Sequence, residues 1–191
     1  QRDERLAQLE TQFDDETDTL SVFRQGNQVA RGKLTDGIGR STIEGFFAAF
    51  MKEESRGQPK IIEAAGNHVL SDHNAPVISI LNMASIKDLE RVNQKPVDPI
   101  RFRANLWFEG TAPWHEFEWI GKKIAVGDVT LAVTDRITRC AATHVNPATA
   151  ERDMNIVKTL QMGFRHTEFG VYAKVESTGR INVGDTLNSP T

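Results

Sequence analysis

Two β-type segments, 123–126 and 129–138, are separated only by Gly127-Asp128. A two-residue connection leaves no room for a crossover, so the segments must pair as an antiparallel hairpin, and Gly-Asp is the turn chemistry such a connection needs. That hairpin commits the second half of the chain to a sheet. Further β-type runs at 76–81, 101–108, 169–175 and 180–183 extend it. Helical patterns fall at 41–54, from Ser85 onward, and at 153–162. Ser41 with Glu44, and Ser85 with Asp88, have the spacing of reciprocal N-terminal caps. Ile43, Phe46, Phe47 and Phe50 form an apolar stripe suited to core packing. The pattern predicts an α+β chain, a β-rich barrel with peripheral helices.

The first forty residues read as a β-meander. Segments 19–23 and 28–34 are strand-like, and Asp14-Asp15-Glu16-Thr17-Asp18 and Gly26-Asn27 are turn-forming, although Leu6, Leu9 and Phe13 have helical spacing. A short strand is also expected at 60–64. Gly37-Ile38-Gly39-Arg40-Ser41 sits where a phosphate-cradling loop would lead into a helix. It lacks a third glycine and a clear preceding strand, and reads as a simple turn.

Composition narrows the function. The 191 residues include ten Phe and three Trp, enough for one well-buried core. With 23 Lys plus Arg against 26 Asp plus Glu, the formal net charge is −3. Such a balance excludes a general nucleic-acid binder but leaves room for one anionic ligand. The opening Gln1-Arg2-Asp3-Glu4-Arg5 lacks the apolar stretch of a secretion signal, and no apolar run approaches the roughly 20 residues of a membrane span. One cysteine cannot close an intrachain disulfide, so a reducing compartment, the cytoplasm, is expected. The chain has no Gly-x-Ser-x-Gly elbow, Walker lysine loop or His-Glu-x-x-His helix. His68, His73, His115, His144 and His166 lack ligand-like spacing, and a single thiol argues against structural zinc.

That thiol is Cys140, at the end of the run Thr138-Arg139-Cys140. Neighbouring cations favour a thiolate, and Arg139 and Arg136 are close in sequence. Adjacent strand residues point to opposite faces, so Arg139 meets the sulfur only where the strand breaks. A lone cysteine at a strand end is otherwise a small buried residue.

The order of motifs from about residue 99 to 187 resembles the MOSC domain, named for the C-terminal part of molybdenum-cofactor sulfurases. The matching features are Phe102-Arg103-Ala104-Asn105-Leu106, then Trp119-Ile120-Gly121 leading to Gly127-Asp128-Val129. Thr138-Arg139-Cys140 follows with Thr143 and Pro147, then Phe169-Gly170-Val171-Tyr172 and Gly179-Arg180-Ile181-Asn182-Val183-Gly184-Asp185. Upstream, Ser71-Asp72, Pro76 and Ser85-Ile86-Lys87-Asp88-Leu89 resemble the subgroup of the mitochondrial amidoxime-reducing component and its bacterial relatives.

The resemblance implies a MOSC-type barrel that holds the molybdenum cofactor (molybdopterin) and reduces N-hydroxylated compounds. Cys140 would ligate the metal, and Arg103 and Asn105 would grip the pterin and its phosphate. Thr138 and Arg139 would add hydrogen bonds beside the cysteine. Asp72 would join Cys140 in catalysis on the substrate side, where Tyr172 would line the site. Residues 1–70 would be the remnant of an N-terminal β-barrel-like region with one helix, and 71–191 the MOSC domain. Members of the subgroup carry an earlier segment whose Lys-Ser or Lys-Gly pair helps bind cofactor phosphate. This chain is expected to begin after it, and either to dimerise through an open sheet edge or to be accompanied by further residues. Electrons would come from a separate electron-transfer protein. The alternative is a sulfur carrier, in which Cys140 accepts a persulfide from a pyridoxal-phosphate cysteine desulfurase.

Overall fold

The computed structural model describes residues 4–52, 57–63, 73 and 75–190. It divides into two compact units, one within residues 1–67 and 145–153, the other within 68–144 and 154–191. Among the described residues no helix is long and apolar enough to cross a membrane.

The first unit contains the expected meander. After a 3-10 turn at Glu4–Gln8, strands β1 (Leu9–Asp14), β2 (Thr19–Arg24) and β3 (Asn27–Lys33) pair antiparallel in sequence order. Helix α1 (Gly37–Met51) lays Ile43, Phe46 and Phe47 against Val22, Ala30 and Leu20 of that sheet. The helix starts before the expected Ser41 because Asp36, not Ser41, is the cap: its carboxylate accepts from Gly39 N at 2.6 Å. Glu44 does not close a capping box, and accepts instead from Ile61 N at 2.8 Å. The expected turn at 37–41 is therefore the first turn of α1, with β3 just ahead of it. Gly39 serves contact: a methyl on it would overlap the Lys33 backbone, and one on Gly32 of β3 would overlap Gly39. Residues 60–63 form no strand; residue 64 lies outside the described residues.

In the second unit, β4 (Ile78–Asn82), β5 (Leu106–Phe108), β6 (Lys123–Val126), β7 (Val129–Thr138), β8 (Glu168–Val175) and β9 (Leu187–Asn188) form a mixed sheet. Its order is β5-β4-β8-β7-β6-β9, and it curls to a nearly closed barrel. The β6–β7 hairpin turns at Gly127-Asp128 as expected, with Gly127 at a φ of 54° that favours glycine. Alternation sends Ile80, Ile124, Leu131, Val133, Val171 and Ala173 inward, where Phe108 and Trp119 pack with them. The outer face is covered by α2 (Met83–Asn93) and α3 (Ile156–Phe164), whose Ile86, Leu89, Ile156 and Leu160 pack with Leu81, Phe102 and Phe169.

Three expected elements differ. Residues 101–108 are not one strand: Asp98 caps a 3-10 turn at Pro99–Phe102, and only Leu106–Phe108 enter the sheet. Residues 180–183 are not a strand, since Asn182 N donates to the Asp185 carboxylate at 2.7 Å and closes a turn before β9. The helix expected at 153–162 runs over Ile156–Phe164 because Asn155 caps it, accepting from Lys158 N at 3.0 Å.

The start of α2 also departs from expectation. Asn82, not Ser85, caps the helix, accepting from Ala84 N at 2.9 Å. The Ser85 hydroxyl accepts from Trp114 N at 2.8 Å and donates to Glu116 at 3.0 Å, while Asp88 accepts from Trp114 Nε1 at 2.7 Å. Asn82 Nδ2 donates to Glu116 at 3.0 Å. Asn82, Ser85 and Glu116 are all fully buried. These side chains thus bind α2 to the 3-10 turn at His115–Trp119 rather than capping the helix locally.

Burial raises the pKa of Glu116 above the ordinary carboxyl value, with the Asn82 and Ser85 hydrogen bonds opposing. A raised folded-state value means that the native protein binds the proton more tightly than the unfolded chain. Stability from this group is therefore full below the ordinary carboxyl value and is lost as pH rises through the folded one. Glu116→Gln can keep both hydrogen bonds without titrating. Urea denaturation across pH should show the variant gaining on the wild type as pH rises from 4 to 8; parallel profiles would contradict this. Gly39→Ala should lower stability by about 1–3 kcal/mol through overlap with Lys33, with little effect from Gly45→Ala, which has open space.

Candidate functional site

β7 ends at Thr138, and there Arg139-Cys140 leave the sheet; the β7–β8 register shifts between Arg136 and Thr138. Arg139 N still donates to Thr167 O at 2.9 Å. The Cys140 carbonyl then accepts from Thr143 N at 3.2 Å and Thr143 Oγ1 at 2.9 Å, which locks the 3-10 turn at Ala141–His144. Cys140 is a free, half-buried thiol held at the entry to that turn. It lines a cleft of about 480 Å³ together with Arg139, Ala141, His144, Lys158, Met162 and their neighbours.

Beside the thiol, Arg139 is fixed in place. Its Nε and Nη2 donate to Phe169 O at 2.8 and 2.6 Å, and its Nη1 donates to Phe102 O at 3.0 Å. The guanidinium lies 5.2 Å from the Phe102 ring centroid, and Phe102 stacks on Phe169 at 4.3 Å. Gly170, at a φ of 75°, leaves the space: a Cβ there would come within 3.4 Å of Arg139 Nη2 and strike the Ile80 carbonyl. Burial pushes the Arg139 guanidinium down to about 10, while the nearby Tyr172 and Cys140 side chains pull it back up. Arg139 is thus a charged cation at neutral pH, held by the Phe169 and Phe102 carbonyls next to Cys140 in the chain.

Tyr172 lies on the outer face of β8, opposite Ser79 of β4, with its ring 4.7 Å from His73. Ser79 N and Oγ donate to Asn105 Oδ1 at 2.9 and 2.8 Å, bringing Asn105 to the same face. Four of the residues singled out by resemblance therefore gather along one run: Asn105, Tyr172, Arg139 and Cys140. Arg103, at a φ of 49° after the 3-10 turn, and Thr138 are exposed, and no hydrogen bond ties either side chain to this run among the described residues. Asp72 lies outside the described residues.

The cleft wall was not apparent from sequence. α3 supplies Val157, Lys158, Gln161 and Met162, and the turn supplies His144, whose Nε2 accepts from Val157 N at 3.5 Å. The helical pattern of α3 marked those positions only as an outward face. Among the described residues no three His, Cys, Asp or Glu side chains converge as metal ligands.

This site, a lone thiol next to a half-buried arginine on the rim of a small β-barrel, agrees in its order of residues with one family. Residues 67–188 match the MOSC domain, and the chain belongs to the MOSC domain family. It is similar to mitochondrial amidoxime-reducing component 1 of Mus musculus, with 27% identity over 153 residues, which covers 74% of this chain and 44% of that protein. It is also similar to molybdenum cofactor sulfurase of Caenorhabditis elegans, with 29% identity over 120 residues, 59% of this chain and 16% of that protein. Among solved structures, YiiM from Geobacillus stearothermophilus aligns with a TM-score of 0.46 and 19% identity, over 60% of this chain and 54% of that one. The chain spans less than half the length of these two curated relatives.

If Arg139 holds the Cys140 turn to the barrel, Arg139→Lys should lower stability by about 2 kcal/mol, because an ammonium cannot serve both carbonyls in fork geometry. Thr138→Ala, one residue away but exposed, should change it by less than about 0.5 kcal/mol. Equal effects in urea titrations would remove the anchoring role.

Proposed function

We propose that this chain is a molybdenum-cofactor protein that reduces N-oxygenated compounds, with Cys140 as the ligand to the metal. The observation that carries the reading is the half-buried thiol at the wall of a cleft beside a fixed cation. The relatives' names, amidoxime-reducing component and molybdenum cofactor sulfurase, support it.

The residues present fit such a cofactor. A thiolate is a soft donor suited to a transition metal. The remaining groups are donors suited to an anionic, oxygen-rich pterin phosphate: the exposed Arg103 guanidinium, the Tyr172 hydroxyl, and the amide nitrogen of Asn105, whose oxygen is already taken by Ser79. Thr138 would add a hydroxyl at the end of β7. The chemistry that the cofactor supplies when bound is two-electron removal of oxygen from an N–O bond. Arg139, with both carbonyls fixed, holds the backbone next to Cys140 in one geometry. Asp72 is proposed on the substrate side. A separate electron-transfer protein would deliver the electrons.

Molybdenum per protein, measured by elemental analysis on protein expressed in cofactor-making cells, tests the reading. The wild type should carry the metal and Cys140→Ser should lose most of it, together with reduction of an N-hydroxyamidine by an added electron donor. Equal molybdenum in both proteins would remove Cys140 as ligand. A persulfide on Cys140 in metal-free protein would instead support the sulfur-carrier alternative, with a cysteine desulfurase as partner.

A further inference from the structure

The cofactor reading gives no role to α3, yet α3 builds much of the cleft wall. Val157, Lys158, Gln161 and Met162 all line it, and Met162 is 73% exposed. The charges around the cleft are one-sided. Arg139 and Lys158 are cationic, and no acidic residue is among the described residues that line it. This occurs in a chain whose formal net charge is −3. A concave site lined by one sign of charge concentrates potential and raises the local concentration of the opposite ion.

The two cations differ in what they can do. Arg139 is committed to the Phe169 and Phe102 carbonyls and cannot move toward a ligand. Lys158 is exposed on α3, no ion pair engages its side chain among the described residues, and its flexible stem can carry the ammonium to an incoming group. Met162, one turn further along the same helix, and Val157 place apolar surface beside it.

We propose that the Cys140 cleft selects small molecules that join an anionic group to an apolar body, and that Lys158 is the residue that sets this preference. The inference deepens the proposed function, on which it rests for the identity of the reaction: the N-oxygenated substrate would bear a carboxylate or similar anion. The charge preference itself does not depend on which reaction occurs at the sulfur.

Because Cys140 is the only cysteine in the chain, alkylation reads the cleft directly. The probes are iodoacetate and iodoacetamide. In each case the thiolate attacks the methylene carbon, a C–S bond forms and iodide leaves; only the carboxylate or amide differs. Both reactions need the thiolate, so the ratio of their rates at one pH cancels any change in thiolate fraction. N-acetylcysteinamide, which carries no carboxylate, supplies the reference ratio for a thiol without a cleft.

On metal-free full chain at low ionic strength, the iodoacetate-to-iodoacetamide ratio should exceed the reference by about three- to tenfold. It should fall toward the reference in 0.5 M salt, roughly, as screening takes over. Lys158→Glu should bring the ratio to the reference or below, and Lys158→Gln should lie between, with circular dichroism confirming that both exposed-site variants fold. In any metal-loaded fraction, the same shift should appear in the kcat/KM ratio between a carboxylate-bearing N-hydroxyamidine and its carboxamide analogue. A wild-type ratio at or below the reference, a ratio unmoved by Lys158→Glu, or a thiol silent until denaturation would overturn the proposal. Loss of molybdenum binding alone would leave the alkylation ratio intact, so the two readings fail separately.

Discussion

The candidate site depends on one half-buried, hydrogen-bonded cation. Taking a guanidinium out of water is unfavourable unless its N–H groups find acceptors, and Arg139 finds them in Phe169 O and Phe102 O, residues 30 and 37 positions away. Those carbonyls belong to β8 and to the 3-10 turn that precedes β5, so the arginine joins three segments at the end of β7. The Cys140 turn starts one residue later. Placing the cation therefore also places the thiol, and the stacked Phe102 and Phe169 rings back the contact.

A fully buried polar group works in the same way on another side of the barrel. Glu116 cannot be solvated, and Asn82 and Ser85 satisfy its oxygens. Asn82 does this while capping α2, so the end of β4, the start of α2 and the turn at His115–Trp119 are fixed together. α2 packs against Leu81, Phe102 and Phe169, the layer on which the Arg139 guanidinium also rests. The two polar anchors thus brace one apolar layer between sheet and helices. Removing an acceptor from either leaves a buried donor unpaired, which is more damaging than losing an exposed pair.

What could be read in the sequence was what local chemistry decides. The Gly127-Asp128 hairpin was clear because two residues permit one connection, and the meander was clear because turn residues punctuate it. Helix starts were misplaced wherever two capping candidates competed: Asp36 lies just ahead of Gly39, which must touch β3, and Asn82 lies ahead of a serine required by Glu116. Residues 101–108 have β-type composition, but Asp98 and Pro99 begin a 3-10 turn there. At the site, Cys140 stood out as the only thiol. Its relation to Arg139 did not, because strand alternation would send the two apart, and the strand ends at Thr138. The wall built by α3 was hidden for a different reason: periodicity marks the outward face of a helix and says nothing about which loop lies across from it.

The form of that wall bears on the choice between an enzyme and a sulfur carrier. Both need a held sulfur, and an anchored arginine serves both, so Arg139 does not separate them. Access does. A carrier must present its sulfur to the active site of another protein, which favours a thiol on a projecting, mobile segment. Here Cys140 is half-buried, tied through its carbonyl to the buried Thr143, and recessed in a cleft of about 480 Å³. That volume falls in the range of small-molecule sites, roughly 300–1,000 Å³. A turn locked by two hydrogen bonds at its first carbonyl resists the extension that docking into a second active site would require. The balance of these constraints favours a small molecule coming to the thiol over the thiol going to a partner.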